Sequence, residues 1–429
     1  MARRSKSPFA PRSYLHFDEP VKIRTAKAIA TSPETVAKWQ FLPFLRHDIE
    51  IIRTRENSKG CFTERPKVRP ICYAAHKDAA IYSWYGAQLT ELYEACLHAK
   101  GLSPCVTAFR PNSGKSNIDH AGEVFDWIKN CGDGSAYAFD ITSFFDRLEH
   151  SRLKTAWQQI TGETRLQNDH FAVFKSLTSY AFVHRNAAFE AMKISKHNPR
   201  AGGRRNICEP GEFRSLIRGA GLIGKNTSGK GIPQGSPMSA VLSNIYLLDF
   251  DEAVAAWVDE RGGIYRRYCD DILVAVPSSC SDDVAEFVQN KITELALEIQ
   301  EEKTTQHQFQ KTGENVHLDK PLSYLGFVFD GSRVLIRTVG ISRYYAKMRS
   351  GVRLAGQTMR KHNAAKKTKR PMHTRKLYVL YSYVGRHNFT SYAYRAARDL
   401  KSPAIKRQIR RHWKVLHEEI KSSTKKYLK

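Results

Sequence analysis

Two acidic sites follow short, β-prone stretches of this sequence and could together hold metal ions. Asp270 and Asp271 stand between two runs rich in Tyr, Ile and Val, a pattern that predicts a hairpin with both acids at its tip. Asp140 ends a third apolar run, residues 135–140. Two adjacent acids at a tight turn repel each other unless a cation lies between them, although Asp-Asp is by itself also common turn chemistry. If the strands are neighbours in one sheet, we expect Asp140 to face Asp270, so that three carboxylates converge.

Three convergent carboxylates would suit phosphoryl transfer. Such a site holds two Mg²⁺ roughly 4 Å apart: one ion lowers the pKa of an attacking hydroxyl and the other stabilises the leaving pyrophosphate. Between the acids, residues 231–237 (Gly-Ile-Pro-Gln-Gly-Ser-Pro) form a loop that leads into a helix. A glycine-rich backbone of this kind can approach a nucleotide or a template strand closely. The sequence therefore predicts a nucleotide-handling site built from two strand ends and a loop.

Hydrophobic periodicity predicts the elements that must position these residues. The expected elements are a mixture of short strands and helices over 41–135 with a helix at 78–97, a strand at 135–140, amphipathic helices at 239–258 and 283–299, a strand pair at 322–330, and basic helices beyond 341 with a Lys/Arg-rich break at 360–371.

The positive charge of the chain is concentrated at its C-terminal end. The chain carries 69 Lys and Arg against 42 Asp and Glu, but residues 331–429 hold 27 of the basic residues and only three of the acidic ones. Cations that neutralise phosphates, together with rings that stack on bases, indicate a nucleic-acid surface. The alternative is a solvated face with part of the rings in a helical core. The aromatic residues interleaved with these cations are Tyr344, Tyr345, Tyr378, Tyr381, Tyr383, Tyr392, Tyr394 and Trp413.

Several other classes of protein find no support in the sequence. The eight cysteines form no Cys-x-x-Cys pair and have no histidines at zinc spacing. No secretory signal follows the basic N-terminus, and no run of 18 apolar residues is long enough to span a membrane. A Gly-rich segment with phosphate-loop spacing ends in Gly231, where Ser or Thr must bind magnesium. We therefore expect a cytoplasmic protein with reduced thiols and no membrane partner.

Taken together, the motifs resemble those of reverse transcriptases over roughly residues 60–330, in the order in which that family carries them. Cys269 stands where the family usually has Ala or Met. The matching segments are residues 67–71 (Lys-Val-Arg-Pro-Ile), 108–116 (Ala-Phe-Arg-Pro-Asn-Ser-Gly-Lys-Ser), 139–146 (Phe-Asp-Ile-Thr-Ser-Phe-Phe-Asp), 231–237 with 242–247 (Leu-Ser-Asn-Ile-Tyr-Leu), 268–271 (Tyr-Cys-Asp-Asp), 301–304 (Glu-Glu-Lys-Thr) and 322–327 (Leu-Ser-Tyr-Leu-Gly-Phe).

The resemblance implies an α+β fold of the right-hand polymerase type, with fingers, a ferredoxin-like antiparallel palm and a helical thumb. The expected organisation, in chain order, is an N-terminal extension at 1–40, fingers at 41–135, a palm segment with the first catalytic aspartate at 136–150, a fingers insertion at 151–230, palm with primer grip at 231–330 and a basic helical thumb at 331–429.

The resemblance also implies a role for each matching residue. Asp140, Asp270 and Asp271 would bind two Mg²⁺, with Mn²⁺ as a substitute and with the carbonyl of Ile141 assisting. Lys303 would be the acid that protonates the departing pyrophosphate. The residues expected to bind the incoming dNTP are Lys67, Arg69, Phe145 and Gln234. The residues expected to contact template and primer are Arg110, Gly235, Ser236, Pro237, Tyr268, Leu325 and Gly326.

Individually, Lys67, Arg69 and Lys303 also read as ordinary surface charges, and only their place in the motif order favours these roles. Phe145 discriminates between products, because an aromatic ring five residues after the first aspartate would collide with a ribose 2′-OH. RNA-templated RNA polymerases favour a Gly-Asp-Asp hairpin and a polar residue at the position of Phe145. The sequence therefore predicts that this residue acts as a steric gate that selects dNTPs over ribonucleotides.

Absences narrow the resemblance further. No second acidic constellation suggests an RNase H domain, and 99 residues follow residue 330, enough for a thumb. By elimination and by its Tyr-Cys-Asp-Asp core, the chain most resembles bacterial stand-alone reverse transcriptases of the defence-associated class, with class 2 as the candidate subgroup. This resemblance implies a structured noncoding RNA as partner and template, a cDNA product and a role against phage. The alternatives are a group II intron-like or retron-like enzyme, or a non-catalytic RNA-binding scaffold with a polymerase fold. The sequence leaves the primer and the oligomeric state open.

Overall fold

A computed structural model describes residues 7–56, 62–110, 113–366 and 368–428 of the chain. The strands are β1 Phe44–Glu56, β2 Phe62–Tyr73, β3 Gly134–Asp140, β4 Ala181–His184, β5 Ile223–Lys225, β6 Ile264–Tyr268, β7 Asp271–Pro277, β8 Thr305–Thr312, β9 Asn315–Leu318, β10 Leu322–Tyr324, β11 Phe327–Phe329 and β12 Val334–Ile336.

The helices lie before, between and after these strands, which confirms the α+β class. They are α1 Ile23–Ala30, α2 Pro33–Ala37, α3 His76–Ala99, α4 Asn117–Cys131, α5 Phe144–Arg147, α6 His150–Thr161, α7 Asn168–Thr178, α8 Arg185–Ala191, α9 Pro210–Glu212, α10 Ser239–Tyr246, α11 Leu248–Asp259, α12 Val284–Glu294, α13 Thr338–Ala365, α14 Arg375–Tyr381, α15 Phe389–Asp399, α16 Pro403–Ile409 and α17 His412–Leu428.

The central sheet has the strand order β6-β7-β3-β8-β9, and all of its neighbouring strands are antiparallel. Side chains of a strand alternate between the two faces of its sheet. On β7, Ile272 and Val274 pack in one hydrophobic cluster and Leu273 and Ala275 pack in another. Both faces of the strand are therefore buried, which explains its uninterrupted apolar sequence and holds the strand end rigidly in place.

A second sheet has the order β2-β1-β4-β5, and its main feature is a long antiparallel hairpin. Strands β1 and β2 contain 13 and 12 residues, so the expectation of short strands in this part of the chain is wrong. Cross-strand pairing runs from Leu45 with Tyr73 to Glu56 with Phe62. Continuous pairing between the two strands stabilises this long hairpin. The apolar pattern within either strand does not reveal this pairing.

The predicted helix at 239–258 is wrong as a single element, because the chain forms two helices that meet at Leu247. Seven of the eight residues of α10 are buried, so this helix is enclosed rather than amphipathic. The predicted helix at 283–299 ends early, at Glu294. Ala296 then adopts a positive φ of 55°, and the chain turns so that Ile299 pairs with Ile141.

The helix predicted at 78–97 is confirmed as α3, and the strand pair predicted at 322–330 is confirmed as β10 and β11, which β12 extends to three strands. Near the N-terminus, Phe9, Leu15 and Phe17 are buried, so residues 7–37 pack onto the rest of the chain. The domain boundaries stay predictions.

The C-terminal region beyond β12 is helical, as expected from its periodicity. Its helix α13 continues to Ala365, so the expected break at 360–371 begins later than predicted. A separate cluster that includes Met348, Val352, Leu377 and Leu416 forms its core. Among the helices that the structure describes, none combines the length and the apolar character needed to cross a membrane.

Candidate active site

The hairpin of β6 and β7 carries the two adjacent acids at its tip, as the sequence predicts. Tyr268 pairs with Asp271, which leaves Cys269 and Asp270 as the two turn residues. Cys269 is buried and has a positive φ of 60°, as at the first central position of a type II′ turn. A side chain other than glycine is strained in this conformation, so the surroundings must hold the turn in place.

Asp140 ends β3 directly beside this tip, but its cross-strand partner is Asp271. The prediction that Asp140 faces Asp270 is therefore wrong by one residue. Opposite residues of an antiparallel pair project to the same face, so the carboxylates of Asp140 and Asp271 share a face. Asp270 is linked to β3 by its backbone, because its carbonyl accepts a hydrogen bond of 3.3 Å from the N–H of Ile141.

Burial and neighbouring charges both act on Asp271. Loss of hydration, followed by the charges of Asp270 and Asp140, raises the pKa of Asp271 to about 6, while Lys303 and Arg337 oppose this rise. The three acids therefore interact, and their negative charge is only partly compensated by the protein.

Lys303 lies at this cluster and forms an ion pair with Asp140. Their side chains are 24% and 21% exposed, so the pair is half-buried. The position of Lys303 follows from backbone pairing, because the N–H of Gln300 donates to the carbonyl of Asp140 at 2.8 Å and Ile141 forms a bridge with Ile299. The lysine is thus fixed beside the first aspartate by a segment 160 residues later in the chain.

The donor set of this site fits a hard divalent cation, because it consists of carboxylate and carbonyl oxygens. After burial, the charges of Asp270 and Asp140 raise the pKa of Asp271, and a cation would offset these charges. In the described part of the chain, no three acidic, histidine or cysteine side chains form a preformed metal cage. The ammonium of Lys303 instead compensates Asp140.

The loop at 231–237 forms hydrogen bonds both to Phe145 and to strand β2 of the long hairpin. The N–H of Ile232 donates to the carbonyl of Phe145 at 2.9 Å, and the N–H of Cys72 donates to the carbonyl of Gln234 at 2.7 Å. Two glycines permit this packing. A Cβ at Gly231 would lie 2.9 Å from the carbonyl oxygen of Asp146, and one at Gly235 would lie 2.7 Å from that of Cys72, both at positive φ.

Strand β2 places its two predicted phosphate-binding residues beside this loop. Lys67, Arg69 and Ile71 alternate along the strand and therefore share a face. The side chain of Ile71 lies against Gly235, where an added Cβ would be 3.0 Å from its methyl carbon. Lys67 and Arg69 thus lie on the face of β2 that the loop at 231–237 covers near Ile71. Arg69 is exposed.

The predicted template and primer residues lie in two places. Tyr268 and Pro237 line a cleft of about 540 Å³ beside the hairpin. Ser236 is buried, and its hydroxyl accepts a hydrogen bond from the N–H of Met238. Leu325 and Gly326 form the two-residue turn between β10 and β11, with positive φ values of 45° and 89°, as in a type I′ turn.

The guanidinium of Arg110 is engaged by other groups of the protein. Its side chain is 7% exposed and forms a bidentate ion pair with Glu94 at 2.9 and 2.5 Å. Its remaining nitrogen donates to the carbonyls of Ser103 and Val106. The donors of Arg110 thus hold the loop that contains it, although the residue borders the cleft, and its contact with template or primer stays a prediction.

Sequence reasoning missed a buried network behind the hairpin. Arg267, fully buried, donates to both carboxylate oxygens of Asp251 at 2.6 and 2.5 Å. Its third nitrogen donates to Asn244 at 3.2 Å and to the carbonyl of Cys269 at 3.1 Å. Tyr265 also donates to Asp251, at 2.6 Å. The sequence held one signal: Arg267 alternates with Tyr265 along a β-prone run, and an arginine on the buried face of a strand must be paired.

Comparisons with known proteins agree with the motif order. The family described as reverse transcriptase (RNA-dependent DNA polymerase) matches residues 65–329 of the chain. A comparison with curated proteins finds no match.

Similar solved structures include two telomerases and a viral polymerase. The first is an apo telomerase from Candida Tropicalis truncated from its C-terminal domain, at 12% identity and a TM-score of 0.42 over 73% of this chain and 59% of that chain. The second is telomerase from Candida albicans in complex with a TWJ fragment of telomeric RNA, at 11% identity and a TM-score of 0.43 over 90% and 58%. The third is the RNA-dependent RNA polymerase of a human picobirnavirus, at 10% identity and a TM-score of 0.36 over 67% and 44%. This chain thus spans less than two thirds of each of these chains.

Proposed function

The chain belongs to the reverse transcriptase family, and on this premise we propose that it synthesises DNA from dNTPs on an RNA template at the site of Asp140, Asp270 and Asp271. The right-hand polymerase fold and the enzyme class, RNA-directed DNA polymerase, accompany the family match. The observation that carries the proposal is the antiparallel pairing of Asp140 with Asp271 at the tip of a buried hairpin.

Two divalent cations, Mg²⁺ or in its place Mn²⁺, would be held by the three aspartates and the carbonyl of Ile141, and when bound they activate the primer hydroxyl and stabilise the leaving pyrophosphate. Lys303 supplies a proton to the departing pyrophosphate. Its ion pair with Asp140 supports this role, because it keeps the ammonium at the carboxylate cluster.

The incoming nucleotide lies between β2 and the loop at 231–237. Lys67 and Arg69 neutralise its triphosphate, since guanidinium and ammonium groups bind phosphate oxygens well. Gln234 contacts the nucleotide, and the ring of Phe145 excludes a ribose 2′-OH. The hydrogen bond between Ile232 and the carbonyl of Phe145 supports this arrangement, because it fixes the gate to the nucleotide-binding loop.

The template and primer follow the cleft that Tyr268 and Pro237 line and continue to the turn of Leu325 and Gly326, with Gly235 and Ser236 shaping the loop above them. Beyond this turn, the basic helical region holds the duplex. In the cell, the protein acts in the cytoplasm on a structured noncoding RNA in defence against phage. The high positive charge of residues 331–429 supports stable RNA binding, and sequencing the RNA and cDNA that copurify with the protein tests this role.

A primer-extension assay on an RNA template tests the catalytic proposal. The wild type is expected to extend a DNA primer with dNTPs and Mg²⁺, whereas Asp270→Asn/Asp271→Asn is expected to lose activity by about a thousandfold or more, since each lost transition-state interaction of 1.4 kcal/mol is tenfold in rate. Asp282→Asn/Asp283→Asn is the matched control, because it changes an exposed pair of adjacent acids beyond the hairpin. Equal loss in both double variants, or no extension by the wild type, would contradict the proposal.

A further inference from the structure

We infer that Phe109 is a contact for the primer–template duplex, its ring packing against the sugar and base edges of the RNA·DNA hybrid beside the catalytic hairpin. This inference rests on the proposed function and deepens it by adding a binding residue. It adds Phe109 to a segment in which the sequence predicted only Arg110 as a nucleic-acid contact.

The loop that carries Phe109 is fixed to the catalytic hairpin by its backbone. The N–H of Arg267 donates to the carbonyl of Cys105 at 2.8 Å, and the N–H of Thr107 donates to the carbonyl of Arg267 at 2.9 Å. The side chain of Asn244 donates to the carbonyl of Ala108 at 3.1 Å. Residues 105–108 thus continue the sheet beside β6, and the next residue is placed with little freedom near Tyr268.

The chain reverses its direction at Phe109 in a way that exposes the ring. Ala108 is buried, and Arg110 is anchored below the loop by Glu94 and two carbonyls, as described above. Phe109 between them has a φ of 60° and a ring that is 49% exposed. A bulky residue in the left-handed region is strained, and an exposed aromatic ring loses the benefit of burial. Folding alone therefore gives no reason for phenylalanine at this position, whereas a ligand would.

The surroundings of the ring indicate which ligand it contacts. The cleft of about 540 Å³ beside it is lined by Phe109, Lys115, Asn117, Pro237, Val241 and Tyr268, among others. Asn117 connects this cleft to the primer-grip turn, because its amide donates to the carbonyl of Leu325 at 3.1 Å and to the hydroxyl of Tyr392 at 2.9 Å.

Phe109 therefore lies on a path bounded by the catalytic hairpin at one end and the turn at Leu325 at the other. A polymerase must hold the end of its duplex along such a path. Rings pack on bases and sugars irrespective of sequence, which suits an enzyme that must translocate. Lys115, half-exposed and in an ion pair with Glu123, borders the same cleft.

Duplex binding without dNTPs tests the inference with the full chain. The probe is a fluorescein-labelled RNA annealed to a shorter DNA primer, and the measurement is the dissociation constant from fluorescence anisotropy. Phe109→Ala and Phe109→Gly are both expected to weaken binding about tenfold, the typical loss for one aromatic contact. Phe171→Ala is the matched control, since this phenylalanine is 44% exposed on α7 away from the cleft, and its affinity is expected to stay unchanged.

Thermal unfolding of the same variants separates binding from folding. Glycine adopts a positive φ without strain, so Phe109→Gly is expected to melt at or above the wild-type temperature while binding more weakly. If wild type extends the primer but the Phe109 variants bind as tightly as it does, the inference is wrong and the proposed function stands; the ring would then serve folding or a protein partner. If the wild type neither binds nor extends the hybrid, both fail together.

Discussion

At the residue scale, the chemistry of the candidate site follows from the close approach of Asp140, Asp271 and Lys303. The two carboxylates face each other across β3 and β7, and Asp270 adds a third charge next to them. The ammonium of Lys303 compensates part of this negative charge. The remaining repulsion is the physical reason to expect cations at this site, because their binding would relieve it.

The gate assignment of Phe145 leads to a prediction about substrate choice. Its backbone is fixed by Ile232 and its ring packs near Phe144, with 5.5 Å between the ring centroids. Phe145→Ala removes the ring from a position that the backbone still defines, so ribonucleotide incorporation is expected to rise about 10- to 100-fold relative to dNTPs. Primer extension with NTPs measures the change.

Phe145→Tyr is the control for this gate, because it keeps the ring and is expected to keep the preference for dNTPs. An unchanged NTP-to-dNTP ratio in Phe145→Ala would show that another residue makes the selection.

At the scale of elements, the strained turn of the hairpin depends on the buried pair of Arg267 and Asp251. The arginine reaches the carbonyl of Cys269, the residue with the positive φ, and so ties the turn to α10 and α11. Removing one member of a buried ion pair leaves the other charged and unpaired.

Arg267→Met is therefore expected to lower the free energy of unfolding by about 3–5 kcal/mol. Arg267→Met/Asp251→Asn removes both charges and keeps an acceptor for Tyr265, so it is expected to recover much of this stability while polymerisation stays low. Urea unfolding and primer extension measure the two effects. Recovery of full activity in the double variant would mean that the network serves stability alone.

His16 leads to a prediction about acid stability. It is fully buried, the N–H of Phe17 donates to its Nδ1 at 2.8 Å, and its Nε2 lies 3.1 Å from the carbonyl of Tyr73. Since a backbone N–H can only donate, Nδ1 must accept and the ring must be neutral. Burial is the main cause that lowers the pKa of His16 to about 3, with His76 adding to the effect.

Between pH 6.5 and 3, the unfolded chain binds a proton at His16 that the folded protein does not bind, so stability rises with pH in this range and falls on acidification. The expected slope is about 1.4 kcal/mol per pH unit for this residue. His16→Asn, which keeps an acceptor beside Phe17, is expected to flatten the profile by that amount in urea titrations at several pH values. Parallel profiles of wild type and variant would contradict the buried neutral ring.

At the scale of the whole molecule, the excess positive charge lies in a different part of the chain from the candidate active site. Residues 1–330 carry 42 basic and 39 acidic side chains, whereas 331–429 carry 27 and three. Residues 1–330 are thus nearly neutral, and under the proposed function the long-range attraction for nucleic acid would come from the C-terminal helices.

This separation predicts a local salt dependence of duplex binding. Arg343→Gln/Lys347→Gln/Arg353→Gln, on exposed positions of α13, is expected to reduce the slope of log affinity against log salt by about 0.9 for each phosphate contact that is lost. Arg165→Gln/Lys175→Gln/Lys196→Gln changes the same net charge elsewhere on the surface and serves as the control. Equal slopes for the two triple variants would contradict binding by the C-terminal region.

The sequence by itself determined the acids, the hairpin that carries two of them, the loop at 231–237 and the location of the positive charge. These features are local, since turn residues, apolar alternation and composition depend on neighbours in the chain. The ion pair of Lys303 with Asp140 supports the expected placement of that lysine, although its catalytic role stays a prediction.

Only the tertiary structure decided which of these residues meet. The register of β3 on β7 places Asp271, not Asp270, opposite Asp140, because hydrogen bonds between distant strands set the register and a slip of one residue turns a side chain to the other face. The burial of the Arg110 side chain and the exposure of the Phe109 ring were likewise decided by the fold. The direction in which a side chain points depends on partners such as Glu94 and Asn244, which the fold brings to the loop from elsewhere in the chain.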